Sequence, residues 1–163
     1  MKWTPPLPNI PHPQRNGGPL IQEQYFEVPH SRWKMLVTCL SLNLTTGKQA
    51  RSVLPTLFQT YDTPEELAEA CPDRLYGILK PLGMANKRVK TYKRFSREYL
   101  SPGWKRVKDL YGCGQYAQDS DDIFWGGRWQ EFVADRELKD SELKRYVNFI
   151  SLLYNEKVTG DKR

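Results

Sequence analysis

The stretch Leu110-Tyr111-Gly112-Cys113-Gly114-Gln115-Tyr116 decides how this chain is read. Two glycines, one residue apart, stand between segments of helical character. Helices joined by so tight a turn need a residue that accepts positive φ, and close backbone approach needs positions without a Cβ. The amides opening the second helix then point outward, where its positive dipole end favours a phosphate. Such a grip holds a nucleic-acid backbone without reading its sequence. By itself, Gly-x-Gly between helices fits an ordinary αα-hairpin turn equally well. Asp119 follows in Gln118-Asp119-Ser120-Asp121-Asp122-Ile123-Phe124 and gives the hairpin a chemical use.

Outward from the hairpin the pattern is helical throughout. Upstream, Asn86 to Tyr99 reads as a helix with Val89, Tyr92, Phe95 and Tyr99 inward. Lys87, Arg88, Lys90, Lys93, Arg94 and Arg97 surround that stripe with no acid before Glu98, which fits a phosphate-facing surface or a merely solvated one. Trp33, Leu36, Val37, Leu40 and Leu42 predict a fully buried helix, and Gly47 to Tyr61 a second, which Pro55 is expected to kink or split. Thr63-Pro64-Glu65-Glu66 has capping-box spacing with proline at the first helical position. A short helix from Pro72 turns Leu75, Ile78 and Leu79 inward and ends near Pro81-Leu82-Gly83. Trp104 to Leu110 reads as another, and helix continues past the hairpin until Gly126-Gly127. The last helix, Asp140 to Glu156, carries Leu143, Tyr146, Val147, Ile150, Leu153 and Tyr154 on one face. Without sustained strand alternation or a long-period repeat, the fold class is all-α.

Composition narrows the chemistry. The 163 residues suit one domain: residues 1–20, rich in proline, form an extended arm, residues 21–157 the domain and residues 158–163 a polar tail. No run approaches a membrane span, and MKWTPPLPNIPHPQRNGG lacks the apolar core of a signal peptide, so a soluble protein of the cell interior is expected. Cys39, Cys71 and Cys113 lie apart and form no Cys-x-x-Cys pair, against a disulfide framework, zinc or an iron–sulfur cluster. His12 and His30 are the only histidines, poor material for a His-dependent triad or metal site. A net charge of +6 favours a polyanionic partner, weakly.

In order, the blocks Trp3-Thr4-Pro5-Pro6, Gln22-Glu23, Trp33-Lys34, Leu42-Asn43 with Thr45 and Gly47-Lys48, Leu79-Lys80-Pro81-Leu82-Gly83, Glu98-Tyr99-Leu100, the hairpin with Tyr116, and Asp119-Ser120 with Ile123-Phe124 resemble the glycosylase domain of the methyl-CpG-binding-domain protein 4 family. That family lies within the helix-hairpin-helix superfamily of endonuclease III. The resemblance spans about residues 20 to 154 and implies two helical lobes flanking a DNA-binding groove.

The resemblance assigns catalysis to Asp119, whose carboxylate would stabilise an oxocarbenium-like sugar and orient water. Asp121 and Asp122 are rivals on spacing alone, and an aspartate here can also be an N-cap. The resemblance further implies that Tyr99 stacks on the extruded base and Gln22 bonds its Watson–Crick edge. A core tyrosine and a surface glutamine are the plainer readings. Bifunctional relatives carry a lysine where Tyr116 stands; a phenol forms no imine, so water should be the nucleophile. The implied DNA contacts are Leu44, Thr45, Gly47, Lys48, Gly83, Met84, Lys87, Arg88, Gly112, Gly114, Gln115 and Tyr116. Leu44 replaces a family arginine that plugs the gap left by the flipped nucleotide; leucine can wedge between bases but brings no charge. No cofactor is required, with room for a monovalent cation at the hairpin carbonyls. The expected partner is double-stranded DNA with a mismatch or lesion, met by a monomer in the nucleus. A non-catalytic DNA-binding module, or a glycosylase for another damaged base, are the competing readings.

Overall fold

The computed structural model describes residues 19–134 and 136–160. Most of the arm over residues 1–20, with the Trp3-Thr4-Pro5-Pro6 block and His12, lies outside them, as do Asp135 and residues 161–163 of the tail. Eight α-helices are present among the described residues: α1 Ser31–Ser41, α2 Gly47–Thr60, α3 Pro64–Ala68, α4 Pro72–Leu79, α5 Ala85–Leu100, α6 Gln115–Ser120, α7 Trp129–Ala134 and α8 Ser141–Gly160. There are no strands among them, as the periodicity predicts.

Helix α1 is the axis. Trp33, Met35, Leu36 and Val37 are wholly buried, and the Trp33 indole donates to Ser96 Oγ of α5 at 3.1 Å. Around it α3, α4 and α5 pack as one group, while α6 to α8 form another through the Phe124–Tyr146 ring contact at 4.6 Å. Thr63 accepts from the Glu66 amide as its spacing predicts, although the Glu66 carboxylate returns to the Asp62 amide instead of Thr63.

Several expectations need correction. Helix α2 is not split at Pro55, which faces outward, so water can serve the carbonyl one turn back that loses its amide partner. The segment Trp104 to Leu110 is no helix; only Val107–Asp109 makes a 3-10 turn, held by Asp109 at the Arg106 amide, while the Trp104 indole donates to the Tyr99 carbonyl at 2.9 Å. After α6 the chain widens into a π turn over Asp121–Trp125, and α7 then fills a stretch where no helix is expected. Tyr154, on α8, is 39% exposed and meets Trp129 edge to face, and α8 continues to Gly160 into the expected tail.

The two hairpin glycines answer different needs. Gly112 has φ +83°, and a Cβ there would lie 2.7 Å from Thr91 Cγ2 of α5 and 3.1 Å from Leu40 Cδ2 of α1. Gly114 has φ −120° and would meet nothing, so its missing side chain keeps the outer surface open. Gly112→Ala should therefore lose about 1–3 kcal/mol of stability in urea unfolding. Gly114→Ala should leave the midpoint nearly unchanged, and equal losses would contradict this division.

Candidate functional site

A groove of about 990 Å³ opens between the turn Ile21–Tyr25 with the α1–α2 loop on one side and the hairpin, α6 and the start of α8 on the other. That volume lies within the range of sites that enclose a small-molecule-sized group. It brings together Gln22, Leu44, Thr45, Gly47, Gly112, Gly114, Gln115, Tyr116 and Asp119 of the residues implicated by sequence. Lys48, Gly83, Met84, Lys87, Arg88 and Tyr99 do not line it.

Asp119 is 5% exposed and reaches the groove from the last turn of α6. Gln115 Nε2 donates to its Oδ1 at 2.7 Å, and Arg136 Nη2 stands 3.7 Å from the same oxygen. Oδ2 has no hydrogen-bond partner among the described residues. Burial pushes the Asp119 carboxyl above its ordinary 3.8, against the pull of Gln115 and Arg136. Its rivals are spent elsewhere. Asp121 takes both forks of Arg32 at 2.9 Å, and Asp122 takes Arg136 at 2.9 Å together with Arg128. Neither lines the groove.

Gln22 is 1% exposed, donating to Tyr116 Oη at 2.6 Å and to Ser120 Oγ at 3.5 Å. The surface-glutamine reading is thereby excluded. Tyr99 is the opposite case: it packs on Phe95 and on Trp104 at 5.7 Å between ring centres, near Arg32, outside the groove. The aromatic ring beside Gln22 is Tyr116, so the base-pocket role expected of Tyr99 finds no support in its position. The two sequence blocks gave no means of telling which tyrosine faces inward, since both flank the same hairpin.

The basic helix is less free than its composition suggests. Arg88 is 5% exposed and donates to the carbonyls of Gly83, Leu40 and Asn43, which corrects its expected place at DNA. Lys93 and Arg97 donate to the carbonyls of Ala70 and Ala68, and Arg94 pairs with Glu98 while stacking on Tyr111. Lys87 and Lys90 remain exposed on α5, as does Lys48 at the start of α2. The groove instead gains Arg51, Lys139 and Arg145, together with Asp140 and Glu142, none of which a sequence motif marks.

All three cysteines are free, and burial pushes the Cys39 and Cys113 thiols up to about 12. No group of three or more potential metal ligands occurs among the described residues, nor is any of their helices long and apolar enough to cross a membrane.

No family model matches the chain. It is 33% identical over 152 residues, 93% of its length, to the methyl-CpG-binding domain protein 4-like protein of Arabidopsis thaliana. It is 32% identical over 92 residues, 52% of its length, to the thymine/uracil-DNA glycosylase of Pyrobaculum aerophilum. The chain spans only 31% and 40% of those relatives. A solved thermostable thymine-DNA glycosylase matches its fold with a TM-score of 0.54 at 20% identity, over 60% of this chain and 48% of the other. The chain belongs to the helix-hairpin-helix DNA glycosylase superfamily. Within it, the similarity covering most of the chain is to the methyl-CpG-binding domain protein 4-like protein.

A carboxyl whose folded pKa is raised binds its proton more readily in the folded state than in the unfolded one. Its contribution therefore favours folding at low pH and weakens as pH climbs from about the unfolded value through the folded one. Asp119→Asn should raise Tm at pH 7 relative to the parent, with the gap closing as pH falls towards 4. An Asn variant less stable at pH 7 would show that Gln115 and Arg136 outweigh burial.

Proposed function

We propose that this chain flips a thymine or uracil mispaired with guanine out of duplex DNA and hydrolyses its N-glycosidic bond. The observation that carries the reading is the convergence of Gln22, Tyr116 and Asp119 on one groove beside the hairpin glycines. The flipped pyrimidine lies against the Tyr116 ring, with the Gln22 amide at its polar edge. As the C1′–N bond lengthens, the sugar gains positive charge and the Asp119 carboxylate stabilises it. Water adds at C1′, its proton passes to the carboxylate, and the base departs with the bonding pair. Tyr116 stands where an imine-forming lysine would be needed, so the product is an abasic site with the strand intact.

The hairpin amides and the exposed Lys48 and Lys87 hold phosphates, and Leu44 enters the gap in the stack. Leu44 suits that part: it is 81% exposed at φ +57°, a conformation that holds an apolar side chain out in water. The reaction draws on no cofactor, and a monovalent cation at the hairpin carbonyls would serve only to brace the turn. A monomer acting in the nucleus completes the proposal.

One observation favours a second source for the catalytic charge. The α7–α8 connection brings Asp140 to the same groove, and from it Arg136 stands 3.7 Å from Asp119. That connection also contains Asp135. Single Asn variants at Asp119, Asp135 and Asp140 separate the possibilities.

Incubation with a G·T or G·U duplex should give an alkali-labile site with no cut before alkali. Strand cleavage without alkali would refute hydrolysis as the end of the reaction, and no base release from any mispair would leave a DNA-binding module. Asp119→Asn should slow single-turnover release about 10²–10³-fold while still binding the duplex. If only the Asp135 or Asp140 variant does so, the role moves to that residue. Parent activity should fall on the acid side below the raised Asp119 pKa, since the ionised form does the work. Affinity should drop steeply with salt, and a flat response would remove the phosphate grip.

A further inference from the structure

The geometry points to Arg88 as the strut that sets the spacing between two apolar loop tips and makes them enter DNA as one tool. This inference rests on the proposed base flipping for its consequence, though not for its geometry.

The first tip is Leu44, in the loop joining α1 to α2. The second is Met84, which joins the 3-10 turn Lys80–Leu82 to α5 and is 46% exposed at φ +49°. Both hold a large apolar side chain towards water from a left-handed backbone, a combination disfavoured on both counts and maintained only where the surroundings over-determine it. Arg88 supplies those surroundings. Its Nε donates to the Gly83 carbonyl at 2.8 Å, adjacent to Met84, and its Nη2 to the Asn43 carbonyl at 2.7 Å, adjacent to Leu44. Nη1 anchors the fork on the Leu40 carbonyl of α1 at 3.1 Å. A planar guanidinium fixes three acceptors in one plane, so neither loop can shift without the other. A second tie, from Gln49 Nε2 to the Pro81 carbonyl at 3.5 Å, joins the first turn of α2 to the 3-10 turn that precedes Met84.

Lysine at this position keeps the charge but loses the fork, so it reaches a single carbonyl well. Arg88 is thus a positioning residue: it does not itself line the groove, and it acts there through the Leu40 and Asn43 carbonyls that it holds. In Arg88→Lys, hydrogen exchange should quicken at residues 43–46 and 82–85 together by about tenfold, with α8 unchanged. Single-turnover base release should slow about 10- to 100-fold, while affinity for undamaged duplex stays within about threefold. Exchange rising in one loop only, or in neither, would overturn the strut. Exchange rising in both with unchanged release would overturn its coupling to base flipping. A parent enzyme that releases no base would sink the proposed function while the exchange result still judged the strut.

Should Arg88→Lys fail to fold, the cycle of Leu44→Ala, Met84→Ala and the double variant reads the same coupling with Arg88 intact. Tips acting as one tool give a double variant hardly slower than the worse single one. Losses that multiply independently would overturn the inference.

Discussion

Three carboxylates, Asp119, Asp121 and Asp122, lie buried within four residues of one helical turn, and that crowding governs the site. Burying a carboxylate without a partner costs several kcal/mol, so each must be compensated or left at an opening. Arg32, lodged between Trp104 and Trp125, takes Asp121; Arg128 and Arg136 converge on Asp122. What remains is Asp119 at the groove, bonded by Gln115 with Arg136 at 3.7 Å. At Asp121 α6 widens into a π turn, and the three neighbours meet different partners.

The same economy runs through the cations. A helix as basic as α5 invites the reading of a phosphate-facing wall, yet Arg88, Lys93 and Arg97 all end on backbone carbonyls. Those carbonyls lie at loops and helix ends, where intrahelical amides run out. Positive charge on α5 is therefore divided between holding loops in place and an outward remainder at Lys87 and Lys90. The groove draws its cations from Arg51 of α2, Lys139 before α8 and Arg145 within α8, far apart in sequence.

Its relatives fit this picture at the level of the fold and family. Similarity to the Arabidopsis protein runs nearly the length of the chain, but the chain corresponds to less than a third of that protein. The reaction proposed here therefore rests on Gln22, Tyr116 and Asp119 meeting in one groove.

Local chemistry was written plainly in the sequence. Apolar spacing marked α1, α2, α4, α5 and α8; Thr63 and Pro64 marked a helix start; Gly112 marked a backbone position closed to any other residue. Those signals depend on neighbours within a turn or two, so a string of residues contains them. Pairings across the molecule were beyond it. Which tyrosine faces Gln22, where the Arg88 fork meets α1, and which cation takes Asp121 are settled by pairings 48 to 94 positions apart. Only packing the helices around Trp33 decides those, because a side chain's partner is fixed by distance in space, and one-dimensional order does not carry that distance.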